Sequence, residues 1–281
     1  MLCLVLLSIA VNSRAEVIGV IYQPQNRDAE ITEEEWQEIF AALAEDEIQE
    51  LTFQWLQHDD ETFGGRMGWL AEVAEIAQAA GLSVRLGLVW DSDYFDHMSP
   101  EPDPAYLRTQ IERNRVLRAS LEEKWTGRSG FAGWYLPLEI SDRFGPDPAT
   151  RRTLTTLLAQ AATMNAHPTV VSAYFTGKMA PVTFRRWVDE IGASGLEVWV
   201  QDGRGAGLAA PPVIDLYLRA LDCNTPIILE RFQRTSPQEE AFRGRALSAE
   251  EWDRRVRQLG CAPGHIFSLR YHPAADGILP R

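Results

Sequence analysis

Eight apolar runs, each followed by an amphipathic stretch, constrain this chain more than any other feature. The runs are "EVIGVIYQP" (16–24), "IQELTFQWLQH" (48–58), "LSVRLGLVWD" (82–91), "GFAGWYLPLEI" (130–140), "PTVVSAYF" (168–175), "GLEVWVQDG" (195–203), "TPIILERF" (225–232) and "HIFSLRYHP" (265–273). They are rich in Val, Ile, Leu and aromatic residues, as strands buried under helices are. Between them, "TEEEWQEIFAALAED" opens on Thr32 with Glu35 three residues on, a capping-box pattern. "GWLAEVAEIAQAAG" spaces its apolar residues at three and four and closes on Gly81. "PAYLRTQIERNRVLRASLEEKW" and "PATRRTLTTLLAQAATMNA" each start with proline, and "SAEEWDRRVRQLG" runs from a Ser248 cap to a Gly260 stop. The stretch from Gly203 to Thr225 is weaker: "GRGAG" (203–207) reads as a cleft loop, ahead of a short helix near "VIDLYLRAL". Strand and helix in alternation predict a parallel sheet with helical crossovers. Eight units within residues 16–281 predict one α/β domain, a single (β/α)8 TIM barrel. An open doubly wound sheet would usually carry a glycine-rich turn after the first strand, and "YQPQNRDAE" has no glycine.

The first residues are apolar from Leu2 to Val11 and end in Ser13-Arg14-Ala15, which resembles a signal-peptidase site although a positively charged opening is missing. Residues 1–15 are therefore expected to be a signal peptide and the mature protein periplasmic or secreted. The apolar run is shorter than the ~20 residues of a membrane-crossing helix, so no membrane span is expected once the signal is removed. Of the three cysteines, Cys3 lies in this leader. Cys223 and Cys261 precede the seventh and eighth strands on neighbouring connections at the barrel floor. They form either a disulfide or two buried thiols, and neither belongs to a C-x-x-C pair that would suggest zinc. The net charge of −13 argues against a nucleic-acid partner, which needs clustered Lys and Arg.

In a barrel of this kind the active site lies at the C-terminal strand ends. Those ends hold Tyr22, Gln54, Trp55, Trp90, Asp91, Tyr135, Glu139, Tyr174, Gln201, Asp202, Glu230, Tyr271 and His272. Carboxylates, amides and aromatics dominate, a set suited to carbohydrate: polar groups bond hydroxyls and ring faces cover the apolar side of a sugar. Trp90 is the expected stacking surface, Trp134 is expected beneath a helix, and His272 reads as a surface residue. Glu139 and Glu230 end the fourth and seventh strands and are expected to converge over the barrel mouth. Glycoside hydrolysis needs two carboxyl groups, about 5–5.5 Å apart for retention or about 6.5–9.5 Å for inversion. The five histidines show no H-x-x-x-H or H-x-H spacing, and there is no G-x-S-x-G elbow or P-loop. No metal and no cofactor is expected.

An acid at the end of strand four with a nucleophile at the end of strand seven is similar to the clan of retaining barrel glycosidases. "FAGWYLPLEI", "VWVQDGRGAG", "PIILERF" and "IFSLRYHP" more closely resemble the domain-of-unknown-function 4434 family, exported bacterial proteins grouped with the glycoside-hydrolase barrels. That resemblance spans most of the chain. It implies Glu139 as acid/base, Glu230 as nucleophile, and Gln201 and Asp202 along the cleft. The retaining clan usually places Asn before the strand-four glutamate; this chain has Leu138, so Gln54 or Gln201 is expected to take that role. The reading is an exported, cofactor-free glycoside hydrolase with Tyr22, Gln54, Trp90, Asp91, Tyr135, Tyr174, Gln201, Asp202 and Tyr271 around a carbohydrate substrate. Its rival is a non-catalytic glycan-binding barrel serving the envelope or exopolysaccharide handling. A lyase or isomerase barrel would more naturally need a metal cluster or a strand-end lysine.

Overall fold

Eight parallel strands close into a barrel in a computed structural model that describes residues 16–281 apart from 64–67, 100, 146, 163–166, 259 and 261. The strands are β1 (Val17–Tyr22), β2 (Glu50–Phe53), β3 (Ser83–Gly87), β4 (Phe131–Ser141), β5 (Thr169–Tyr174), β6 (Glu197–Gln201), β7 (Ile227–Glu230) and β8 (Gly264–Phe267). Each pairs with its sequence neighbours, and β8 closes on β1. The covering helices are α1 (Glu33–Glu45), α2 (Gly68–Ala79), α3 (Pro104–Trp125), α4 (Pro148–Ala162), α5 (Pro181–Ala193), α6 (Pro211–Ala220) and α7 (Ala249–Arg257). The expected capping box at Thr32 forms, and the expected Ser248 cap proves to be a second one: Thr32 and Ser248 accept from the Glu35 and Glu251 N–H groups, and both glutamates reach back. The leader with Cys3, and Cys261, lie outside the described residues; Cys223 is disulfide-bonded. Among the described residues no helix is long and apolar enough to cross a membrane.

Strand alternation sorts side chains into two cores. Val20, Tyr22, Leu51, Phe53, Trp134, Leu138 and Leu229 face the helices, so Trp134 lies where the sequence reading put it. Ile21, Tyr135, Val170, Trp199 and Ile228 fill the barrel interior. Beneath them Arg85 grips Glu50 through Nε and Nη2 at 2.9 and 3.0 Å. Its guanidinium lies 5.2 Å from the Trp199 ring, which stacks on His265 at 3.6 Å. Gly19 and Gly133 make room for this layer: a Cβ would come 2.5 Å from His265 Nδ1 at the first and 3.0 Å from Arg85 Nη1 at the second.

The eighth strand is shorter than its apolar run suggests. The sheet ends at Phe267, and the chain continues as two 3-10 turns, Leu269–Tyr271 and Pro273–Ala275, that take the place of an eighth helix against α1. Arg270 anchors this tail, pairing with the buried Asp28 and donating to the carbonyls of Gln23 and Pro280. His272 is therefore buried rather than on the surface. Its Nδ1 accepts from the Ala274 N–H, and burial, with Arg231 nearby, pulls it down to about 3.

Candidate active site at the barrel mouth

A bulge in β4 positions the leading candidate acid. Leu136 pairs with Val171, but the next pair is Glu139 with Ser172, leaving Pro137 and Leu138 as extra residues. Pro137 has no N–H to give to a ladder, so a bulge is where it fits in a central strand. Uninterrupted pairing would set Glu139 level with Tyr174; the bulge sinks it one pleat deeper, to the level of Ser172. There it is half-buried, with Tyr135 beneath and Tyr174 above. Burial pushes its carboxyl up to about 7, against a hydrogen bond with Gln201. Tyr94 donates to its backbone carbonyl at 3.2 Å.

Glu139 lines a cleft of about 470 Å³ together with Phe95, Asp96, Ser99, Arg143, Tyr174, Thr176, Gln201 and Leu208. Its aromatic wall continues inward: Phe95 meets Tyr174, Tyr94 and Trp90 edge-on at 6.2, 5.4 and 5.7 Å, and Trp90 stacks on Trp55 at 6.1 Å. Phe95 and Asp96 come from a short helix after β3, Tyr94–Met98, and Arg143 and Thr176 from loops beyond the strands. Strand-end reading passes over all four; "DYFD" directly after the third apolar run is the signal that could have flagged Phe95.

Glu230 faces inward two residues beyond Ile228 but is 3 % exposed. The 203–207 loop closes over it: Ala206 N–H donates to Oε2 at 2.7 Å and Gly205 N–H also bonds the carboxyl. A hairpin after β7, Phe232–Arg234 with Gly244–Ala246, clasps that loop. Arg234 N–H donates to the Gly205 carbonyl at 2.9 Å, and Gln238 donates to the Ala206 carbonyl at 2.8 Å. Burial and the Asp202 carboxyl push Glu230 up to about 8, against the two loop N–H groups and Arg255. Glu139 and Glu230 thus share the barrel mouth, one lining the cleft and the other sealed under a loop.

Several expected ligand contacts are taken up by the fold. Tyr22 faces the helices, not the cleft; it is fully buried between Trp36 and Phe53, and its hydroxyl donates to Asp28. Asp91 accepts from Gln110 and Arg113 at 2.6 and 2.7 Å, so it ties the β3 loop to α3. Asp202 points through the wall toward α6 and α7, fully buried, with Oδ1 accepting from the backbone of Arg204 and Glu230. Tyr135 is buried beneath Glu139 as a support rather than a contact surface. Tyr271 lies past the end of β8, packed on Phe232 at 5.2 Å. Gln54 is buried, with Oε1 unpartnered. Leu138 belongs to the helix-side core, so the residue before Glu139 cannot reach a ligand; Gln201 supplies the amide beside the carboxyl. Among the described residues no three His, Cys, Asp or Glu side chains gather in a way that could hold a metal ion.

The 203–207 loop can be tested directly. A Cβ on Gly205 would lie 2.4 Å from the Phe232 carbonyl oxygen and 2.9 Å from Glu230 Cβ. Gly205→Ala is expected to lift the loop off Glu230 and to lower stability by about 1–3 kcal/mol. Amide hydrogen exchange should quicken at 203–207, and unchanged protection there would count against the clasp.

Fold and site define a (β/α)8 barrel with a carboxyl-bearing, aromatic-walled cleft at its C-terminal mouth. The chain belongs to the family described as Domain of unknown function (DUF4434), which matches residues 17–265. It is 32% identical over 283 residues to the uncharacterized protein YbcH of Escherichia coli K12, spanning 93% of this chain and 92% of that protein. Among solved structures it resembles a candidate alpha-L-fucosidase from Bacteroides thetaiotaomicron, with a TM-score of 0.67 at 14% identity, covering 99% and 94% of the two chains. It also resembles the spore cortex-lytic enzyme SleL of Bacillus cereus, with a TM-score of 0.55 at 10% identity, covering 95% and 72%. At such identities these two likenesses speak to the fold.

Proposed function

We propose that the protein is an exported glycoside hydrolase of the retaining type, acting on a poly- or oligosaccharide. The observation that carries this reading is Glu139: a carboxyl pushed up to about 7 in an aromatic-walled cleft, which keeps a large protonated fraction at neutral pH to donate. In the reaction, the glycosidic C–O bond breaks as Glu139 gives its proton to the departing oxygen and the ionised Glu230 bonds to the anomeric carbon. Glu139, now a carboxylate, takes a proton from water, and that water releases the sugar from Glu230. The 203–207 loop must open before Glu230 attacks, which hydrates Glu230 and brings its carboxyl back toward the ionised form. Barrel neighbours named as a fucosidase and as a cortex-lytic enzyme support the class of reaction.

The sealed position of Glu230 favours one other reading, a glycan-binding barrel without turnover. The deciding experiment screens the purified protein against bacterial and plant polysaccharides beside Glu139→Gln and Glu230→Gln. Release of reducing ends by the wild type, lost in both variants, is the expected result. Retention of a glycan with no release would establish the binder, and full activity in Glu230→Gln would remove Glu230 as nucleophile.

A further inference from the structure

We propose that the cleft is built for a glycan bearing an isolated anionic group, a carboxylate or a sulfate, and that Arg143 recognises it; this rests on the carbohydrate reading above. Arg143 is the one cation among the described residues lining the cleft, beside Glu139, Tyr174, Thr176 and Gln201. It is exposed to the cleft and close enough to Tyr174 to act on its hydroxyl electrostatically.

Neither carboxylate nearest it in sequence or in the cleft wall, Asp142 or Glu139, forms an ion pair with it. Asp142, next in sequence, is turned into the wall. It accepts from the backbone N–H and hydroxyl of Thr176, both at 2.9 Å, from Lys178 N–H at 2.7 Å and from the Tyr217 hydroxyl at 3.0 Å. With a fifth, from Met179 N–H at 3.3 Å, those bonds use its acceptor capacity and hold it away from the guanidinium. Glu139, pushed up to about 7 by burial, carries only part of a negative charge at neutrality and forms no ion pair with the guanidinium. Among the described residues no acidic group forms an ion pair with Arg143. A guanidinium presents a planar fork that matches a carboxylate or sulfate through paired hydrogen bonds.

Asp96 sets the limit on how many charges the substrate carries. It lines the same cleft, and the protein as a whole carries −13. A continuous polyanion would be repelled by both. One acidic sugar among neutral ones meets Arg143 alone, leaving Asp96 to accept hydroxyl hydrogen bonds.

The test is a calorimetric titration of the full chain with matched oligosaccharides: one carrying a single uronate, its methyl ester, one carrying a single sulfate, and its desulfated form. Wild type should favour an acidic member over its neutral partner by about tenfold or more, and that preference should shrink with added salt. Whichever pair shows the larger ratio identifies the source of the charge. Arg143→Gln should bring the pair to parity, and Arg143→Lys should keep part of the preference. Equal affinity within both pairs for wild type, or a preference that survives in Arg143→Gln, would overturn the proposal. If the polysaccharide screen still shows Glu139-dependent turnover, that result leaves the hydrolase reading standing; a panel that is not bound at all, with no turnover, overturns both.

Discussion

Replacing Glu139 with glutamine is expected to cut glycan turnover by about 10²–10⁴-fold, the usual contribution of a positioned general acid, and at the same time to stabilise the protein above neutral pH. The two effects share one cause. Burial holds the carboxyl at about 7 in the fold, above its ordinary value of 4.5. Below the ordinary value both folded and unfolded chains bind the proton, and nothing is lost. Between the two values the unfolded chain ionises while the folded one keeps its proton, so stability falls as pH rises. Above about 7 the full penalty is in place, on the order of 3 kcal/mol. Glutamine has no proton to lose, so the gap in unfolding free energy between Glu139→Gln and wild type should widen from pH 5 to pH 8. Glu230, pushed up to about 8, adds a second decline over an overlapping range, which Glu139→Gln leaves in place. Parallel stability curves for variant and wild type would mean that the carboxyl is hydrated and ionised, and the acid role would fall with it. The pH profile of turnover offers an independent reading: the limb set by the acid should descend as pH passes about 7.

Asp28→Ala is expected to lower stability by about 3–5 kcal/mol, the typical loss when one partner of a buried ion pair is removed. Asp28 is fully buried and takes four hydrogen bonds: two from Arg270, at 3.0 and 2.6 Å, one from the Tyr22 hydroxyl at 2.8 Å and one from Gln25 N–H at 2.9 Å. Its loss strands the Arg270 guanidinium in a site that is 5 % exposed. Because Arg270 also holds the carbonyls of Gln23 and Pro280, the segment after β8 should loosen first. Denaturant titration measures the loss, and limited proteolysis should cut nearer the C-terminus in the variant. A double change, Asp28→Leu with Arg270→Met, should recover much of the stability, since no charge is then left buried alone. Equal stability of Asp28→Ala and wild type would show that water reaches the pair.

The barrel was readable along the chain. Apolar runs of strand length, proline at helix starts, and the Thr32 and Ser248 capping boxes act within a few residues, and that is the range over which sequence speaks directly. The place of Glu139 near the mouth end of β4 was readable for the same reason, since "GWYLPLEI" turns from apolar to acidic at one point. Pro137 was a further clue, because proline inside a strand marks a bulge. What alternation could have added is the facing of Tyr22: with Ile21 turned into the barrel, its neighbour had to meet the helices.

Other features rest on partners far apart in the chain. The depth of Glu139 depends on β4 slipping against β5, which burial of Leu138 among the helices helps to hold. The seal over Glu230 depends on Gln238 and Arg234 reaching back some thirty residues to the 203–207 loop. Asp91 was claimed by Arg113 on the next helix, and Asp202 by the outer wall. The sequence by itself determined the eight strands, their order and the glutamate near the mouth end of the fourth, because those depend on local pattern. Only the tertiary structure decided which strand-end groups meet the cleft and which are spent on the fold, because register, bulges and loop closure are set by contacts that no short window of sequence contains.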